Sequence, residues 1–450
     1  MVTEKLQRNP MTTAVSLSPA SGYSFISESE GIHFPLNRTN SSPSLDVTAQ
    51  GSLRNTKTQT PPITRILVLG GGFAGIYAAR RLAKLFAGRK DVETILVSRD
   101  NFLVMTPLLF EFCSGTLDMS ACSISIRAFL RNVRFVEARV DEIDLEHRLV
   151  QISSGYANKG ELPYDQLVLA MGSVNNTSRI PGSEFAFTFK TLADAILLRN
   201  HVIERMERAE AESDPKLRRR DLTFVVIGGG LVGVEVFGEL TAFMDEILRY
   251  YPCIRRDEIR LYLLEASGKI MPEFSENLAE YSSQVLSKRS GVSIRVNTPV
   301  ERITPGQVHL KDEILEASTI VLSTGMVPSP IVARLPVEKD RHGKIAVEAT
   351  MSCKQHPEVW AAGDCASIPD PTGKPYPDLA QHAMCEAKVL ADNIYSTVNR
   401  LPMKPFVYKT KGVMASLGHH RGVATAMGIP LRGFWRGGFD AAITFWSRRG

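Results

Sequence analysis

The chain has 450 residues, 44% hydrophobic and 22% charged, an ordinary globular composition with enough length for two or three cores. Its 53 Lys and Arg against 48 Asp and Glu leave a net charge of +5, too small and too interspersed to make a nucleic-acid-binding face. Cys113, Cys122, Cys253, Cys353, Cys365 and Cys385 form no C-x-x-C pair, so they read as reduced thiols and not as metal ligands.

Residues 1–62 come first and carry 18 Ser and Thr among the first 60. Without sustained periodicity they bury too little apolar area to offset the entropy of ordering, and a disordered extension is expected. Glu4, Glu28, Glu30 and Asp46 argue against a transit peptide, which is poor in acids. Order is expected from residue 63. "RILVLG" is a short β-rich run, "FAGIYAARRLAKLF" has helical spacing and "ETILVS" is a second buried strand. This is the start of a parallel α/β sheet. The pattern begins again with "LTFVVIG", "LVGVEVFGELTAFMDEIL" and "IRLYLLE". The stretch "LTFVVIGGGLVGVEVFGEL" is apolar, but its glycines, Glu235 and Glu239 make it a strand, turn and helix. No uninterrupted apolar run reaches the roughly 18 residues of a spanning helix.

Each repeat holds G-x-G-x-x-G between strand and helix: Gly70, Gly72 and Gly75, then Gly228, Gly230 and Gly233. The first glycine permits a tight turn, the second lets a pyrophosphate approach the backbone, and the third lets helix and strand pack closely. The helix N-terminus then offers unpaired N–H groups and partial positive charge. A single match is weak, but two in the same context are strong. After "LYLL" the second repeat supplies Glu265, placed to bind ribose hydroxyls and to repel a 2′-phosphate, so NADH is expected over NADPH. The first repeat has Ser98 at that position. Two dinucleotides on one chain point to a flavin and its electron partner. "EVWAAGDCA" puts Gly363 and Asp364 at a later strand end, a second flavin signature, so the first turn is assigned to FAD. "QLVLAMG" and "TIVLSTG" close the two units at Gly172 and Gly325. The expected fold class is α/β, with two Rossmann-like dinucleotide-binding domains, the NADH domain (184–326) inserted in the FAD domain (63–183 and 327–400). Residues 401–450 are a C-terminal segment.

With "VLGGGFAG", "NFLVMTPLLFE", "GGGLVGVEVFGEL", "LLEASGKIMPEF", "NTPVERI", "GDCASIPDP" and "DLAQHA", the chain resembles the type II NADH:quinone oxidoreductases over roughly residues 64–433. These are single-subunit, non-pumping, membrane-associated flavoproteins with the fold of the disulfide reductases. The resemblance implies that Thr106 and Pro107 lie by the isoalloxazine and Glu235 by the nicotinamide. It also implies that Gln381 stands between flavin and quinone pocket, flanked by Ala380 and His382, the latter either packing or touching quinone. A glutamine can both donate and accept, which suits a carbonyl that becomes a hydroxyl. The implied activity is hydride transfer from NADH to FAD, then two-electron reduction of a quinone.

Three features depart from the family pattern. Ser98 stands where an acid is usual, and Cys385, followed by Glu386, stands where the quinone motif has a second glutamine. The family also continues past this region with basic amphipathic helices, whereas "GFWRGGFDAAITFWSRRG" reads two ways. It is either one short interfacial helix or an altered end whose Gly437 and Gly438 break any helix. Peripheral attachment to the cytoplasmic side of the cell membrane is expected, in preference to an organellar inner membrane, and a homodimer is compatible with the family. The alternatives are a thiol or sulfide:quinone reductase, which needs reactive cysteines at the flavin, and a low-turnover NADH-binding redox sensor.

Overall fold

Thr64–Leu69 (β1) is TRILVL, and its last four side chains are fully buried, as in a central parallel strand covered on both faces. It turns through three glycines into Phe73–Leu85 (α1) and returns as Val92–Ser98 (β2). Leu109–Cys113 (α2), Arg134–Glu137 (β3), Gln166–Leu169 (β4) and Phe187–Thr188 (β5) follow. Then come Thr223–Ile227 (β6), Leu231–Ile247 (α3), Arg260–Leu264 (β7), Val292–Arg295 (β8) and Thr319–Leu322 (β9). Val359–Ala361 (β10), Ala380–Val398 (α4), Gly412–Ser416 (β11), Arg421–Ala426 (β12) and Ile429–Phe434 (β13) complete the elements used below. The computed structural model describes residues 63–155, 157–418 and 421–434. The extension expected at 1–62 and the tail readings past residue 434 lie outside the described residues.

Two five-stranded parallel sheets organise the molecule. The first has the order β10-β4-β1-β2-β3 and the second β5-β9-β6-β7-β8. In each, the central strand is the one that feeds a glycine turn, so each turn opens at the carboxyl edge of its sheet, where ligands bind in such folds. The whole second sheet lies between β4 and β10 in the chain. The two units are therefore nested, and the chain crosses between them twice. The crossings pair with each other: Ser173–Asn175 runs antiparallel to Met326–Pro328. Gly172 (φ +60°) and Gly325 (φ +101°) stand at the starts of these strands. Asn176 N–H donates to Gly325 O at 3.0 Å and Ser329 N–H to Gly172 O at 3.3 Å.

Strands β11, β12 and β13 form a separate antiparallel sheet. Ala415, Leu417 and Val423 of this sheet belong to the same buried core as Val234, Phe237 and Leu240 of α3. Close docking is possible because Gly238 has no side chain. A Cβ there would lie 2.7 Å from the Leu417 carbonyl carbon, and one at Gly418 (φ +78°) 2.2 Å from Gly238 O. Arg289 fixes the seam by donating to Gly238 O (3.1 Å), Leu417 O (3.1 Å) and Gly418 O (3.3 Å). Gly238→Ala should therefore push the C-terminal sheet off α3. The expected loss is about 1–3 kcal/mol, the range for overpacking, in urea unfolding, with faster protease cleavage between residues 400 and 434. Wild-type stability and cleavage would refute the close contact.

Candidate functional site

Helix starts differ along the chain. The helix Leu192–Ala211 is closed by a reciprocal box between Thr191 and Asp194, a cap worth about 1 kcal/mol. By contrast, α1, α3 and α4 begin at Gly72, Gly230 and Leu379 with no side-chain cap and no acid in the first turn. Their first N–H groups and dipole ends are left for an anion. In both turns the third glycine lies on the first: a Cβ at Gly75 would fall 1.9 Å from Gly70 O, and one at Gly233 2.0 Å from Gly228 O. A Cβ at Gly72 would meet nothing within 4 Å, and one at Gly230 only a Glu273 carboxylate oxygen at 3.8 Å. The turns are thus packed behind and open in front, which fits a pyrophosphate on each.

The strand-end residues lie over the middle glycines. Ser98 Oγ would be 2.3 Å from a Cβ at Gly71. Glu265 accepts the Gly229 N–H at 2.6 Å and the Ser267 N–H at 2.7 Å. Partial burial would raise the Glu265 pKa, but these N–H groups hold it below the usual glutamate value, so it faces a ligand as a carboxylate.

On the first unit, Gly363 (φ +73°) and Asp364 follow β10 directly. Asp364 Oδ2 accepts from Ser173 Oγ (2.6 Å) and Lys190 Nζ (3.3 Å). Burial pushes this carboxyl up, yet Lys190 and Ser173 together keep it below its ordinary value. Beneath it, Glu386 of α4 accepts the Gly363 N–H at 2.8 Å. A pocket with an empty volume of about 230 Å³ is lined by Gly363, Asp364, Tyr376, Asp378, Ala383 and Glu386. Burial first, then the charges of Asp364 and Asp378, push Glu386 up to about 7. The Gly363 turn, the uncapped α1 and Ser98 converge on one sheet edge, and these residues fit FAD.

Ala380 and Gln381 are the first two residues of α4. Gln381 is turned to the C-terminal segment: its amide nitrogen donates to Gly412 O (2.6 Å), while its oxygen accepts from Tyr408 OH and Lys411 N, both at 3.2 Å. The oxygen is therefore saturated, and the amide has one N–H left to give. His382 is 1% exposed, among Tyr376 and Tyr408. Its Nε2 pairs with Thr410 Oγ1 at 2.9 Å while Nδ1 is buried without a hydrogen bond. Burial lowers its pKa. Thr106 and Pro107 open a single 3-10 turn that leads into α2, and α2 packs against α3.

Glu235 lies on the buried face of α3, in the second turn, 6% exposed. Burial, reinforced by Glu239, Glu111 and Glu273 and opposed by the Ser416 N–H, pushes its pKa well above the usual value. That N–H reaches Glu235 Oε1 at 3.3 Å.

Comparison with known proteins now decides the family. The pyridine nucleotide-disulphide oxidoreductase family matches residues 64–387. The chain belongs to it. Within it, the chain is a member of the type II NADH:quinone oxidoreductases. It is 32% identical to a probable NADH dehydrogenase of Dictyostelium discoideum over 83% of this chain and 84% of that one. It is 29% identical to a type II NADH:quinone oxidoreductase of Staphylococcus aureus, over 82% and 91%. The fold superposes on NDH2 from Plasmodium falciparum in complex with NADH with a TM-score of 0.75 at 21% identity, covering 86% of this chain and 94% of that one.

Sequence reasoning missed several partners of this family's site. Lys190 and Ser173 are far from Asp364 in the chain, and nothing local marks them. Glu239 was missed as well, although a second carboxylate four residues after Glu235, on the same helix face, is a signal that could have found it. The six cysteines are all free thiols, and burial pushes Cys113, Cys353 and Cys365 up to about 12, which leaves them protonated and weakly nucleophilic.

Glu386 yields a pH prediction. Its free value is near 4.5 and its folded value about 7, so the folded chain binds the extra proton between these limits. This contribution to stability is full below about pH 4.5 and is lost as pH rises through 7. Glu386→Gln carries no charge and still accepts from Gly363. It should match the wild type in urea unfolding near the lower limit and exceed it by roughly 2–3 kcal/mol at about pH 8. Equal stabilities at both ends would show that the carboxyl is not buried.

Proposed function

We propose that this protein oxidises NADH through bound FAD and delivers the electron pair to a quinone. The observation that carries the reading is the pair of like-built phosphate cradles on nested sheets, only one of which ends in a ribose-binding carboxylate. FAD, when bound, supplies the two-electron chemistry that connects a hydride donor to a quinone. Gly70, Gly72, Gly75 and Ser98 would hold its adenylate and pyrophosphate. Asp364, Gly363 and the α4 start would hold the other end, with Thr106 and Pro107 beside the ring. Gly228, Gly230, Gly233 and Glu265 bind NADH, and the carboxylate disfavours a 2′-phosphate by like-charge repulsion.

The chain's main contribution to rate is orientation of the rings. Burial, reinforced by Glu239, Glu111 and Glu273, pushes the Glu235 pKa well above the usual glutamate value and so favours its protonated form on the nicotinamide side. A hydride brings one hydrogen while a quinol needs two, so the overall reaction consumes one proton. A buried acid near the donor is suited to hold it. Gln381 presents its remaining N–H to a quinone oxygen and is kept rigid by Tyr408, Lys411 and Gly412. His382 shapes the floor behind it.

Peripheral contact with a membrane is supported by one edge of the C-terminal sheet. Met427 (83%) and Ile429 (59%) are exposed with Leu431 at the hairpin of β12 and β13, and Lys411, whose carbonyl accepts the Met427 N–H at 2.7 Å, lies beside the tip. Among the described residues no helix is long and apolar enough to cross a membrane. A hairpin tip with apolar and basic residues matches an interfacial anchor.

Anaerobic addition of NADH to the flavin-loaded protein should bleach the flavin absorbance, NADPH should do so far more slowly, and a soluble quinone should restore it. Gln381→Ala should slow the recovery at least tenfold, about 1.4 kcal/mol, and leave the bleaching unchanged. A flavin that stays oxidised under excess NADH would refute the reading, and equal losses in both steps would refute the role of Gln381. Met427→Glu should release the protein from anionic vesicles in a sedimentation assay. Undiminished binding would move the anchor elsewhere.

A further inference from the structure

Ser416, the last residue of β11, touches both helix carboxylates. Its N–H donates to Glu235 Oε1 at 3.3 Å, and its Oγ donates to Glu239 Oε1 at 2.8 Å. Both glutamates are buried on α3, at 6% and 5% exposure, one helical turn apart. A hydroxyl has one hydrogen and two lone pairs. Gly418 N–H occupies a lone pair of Ser416 Oγ at 3.1 Å, which turns the O–H away from the backbone and toward Glu239. The loop cannot drift, because Arg289 binds Leu417 O and Gly418 O and Gly238 admits it to contact distance.

We propose that Ser416 is a positioning residue that places the negative charge of the carboxylate pair on Glu239 and thereby keeps Glu235 as the protonated member facing the nicotinamide. The inference rests on the reading of Glu235 given above. Two carboxylates one turn apart in an apolar helix cannot both ionise cheaply. The question is which of them does. Glu239 takes the hydroxyl hydrogen bond, roughly twice as strong when the acceptor is charged, and lies in the field of the Arg289 guanidinium. Glu235 takes only a long backbone N–H bond. The other groups facing the pair are Glu111 on α2, Glu273 after β7, and Cys113, whose thiol is itself influenced by Glu239 and Arg199. Glu111 and Glu273 add negative potential at Glu235 and so favour the same partition. The pair titrates as a unit, so a change at either member moves the other.

The test is the pH dependence of flavin reduction by NADH, measured by anaerobic stopped flow, in four variants of the flavin-loaded protein. The wild type should show a midpoint that Glu235→Gln removes. Ser416→Ala takes the donor from Glu239, moves charge toward Glu235 and should lower the midpoint by about one pH unit. Glu239→Gln removes the neighbouring charge and should shift it in the same direction. Ser416→Thr keeps the hydroxyl and should retain the wild-type midpoint, which separates charge placement from mere packing. If Ser416→Ala folds poorly, the threonine and Glu239→Gln variants carry the test. A midpoint unmoved in both Ser416→Ala and Glu239→Gln, yet absent in Glu235→Gln, overturns the proposal and leaves the role of Glu235 standing. A midpoint that survives in Glu235→Gln overturns both.

Discussion

Two backbone contacts govern this molecule, and both occur where side chains are absent. At Gly75 and Gly233 a helix lies directly on the carbonyl oxygen of the glycine that opened its turn, leaving no room for a methyl group. The contact brings each helix start to the carboxyl edge of its own sheet, and the missing caps leave that start charged. Everything distinctive about the two units is added at the rim. In the second, Glu265 is locked onto Gly229, and the N–H groups it accepts favour its ionised form. In the first, Ser98 offers a hydroxyl only, and the far anchor is Asp364 with Lys190 and Ser173. The division suits the ligands. A resident cofactor can draw its affinity from contacts along its whole length, whereas an exchanging substrate needs one discriminating group.

The second constraint is mechanical. Strand β11 begins at Gly412, whose carbonyl takes the Gln381 amide, and ends at Ser416, which binds Glu235 and Glu239. Four residue steps of extended chain span about 13 Å. The C-terminal sheet is thus a ruler laid between the start of α4 and the buried face of α3. It adds to two other links between the units, the short ribbon at Gly172 and Gly325 and the packing of α2 against α3. Because Gly238 and Arg289 fix one end and the Gln381 amide fixes the other, the strand holds both functional helices in a single register. The core agrees with this, since Ala415, Leu417 and Val423 are buried with α3.

Much of this was legible in the chain. Both glycine turns, the strands feeding them and the nested order are written in local periodicity, because a turn that needs three glycines has few other ways to be encoded. Glu265 was legible for the same reason, although the inserted "RYYPCIRRDE" lengthens its spacing. The ends of the hydrogen bonds were not. Lys190 meets Asp364 across 174 residues and Ser416 meets Glu235 across 181, and only the fold brings them together. The structure also narrows one expectation. Gln381 is expected to donate and accept, but its oxygen is taken by Tyr408 and Lys411, so only an N–H is left to offer a ligand. A glutamine in a motif shows what it could bind, while its neighbours decide what remains free.

The treatment of acids in the two units explains why buried carboxylates are kept at all. A charge removed from water costs several kcal/mol unless it is paired, and an apolar residue at Glu235 would be cheaper. At Asp364 the fold supplies Lys190 and Ser173 and holds the carboxyl low. At Glu235 it supplies only an N–H bond at 3.3 Å, and burial first, then Glu239, Glu111 and Glu273, hold the carboxyl high. Environments that drive like groups apart are the mark of assigned acid and base roles. One carboxyl remains an anion that fixes a ligand in place. At the other, the surroundings favour the protonated form. The cost accepted at Glu235 therefore keeps a titratable proton inside the fold, which an apolar residue of equal volume could not hold.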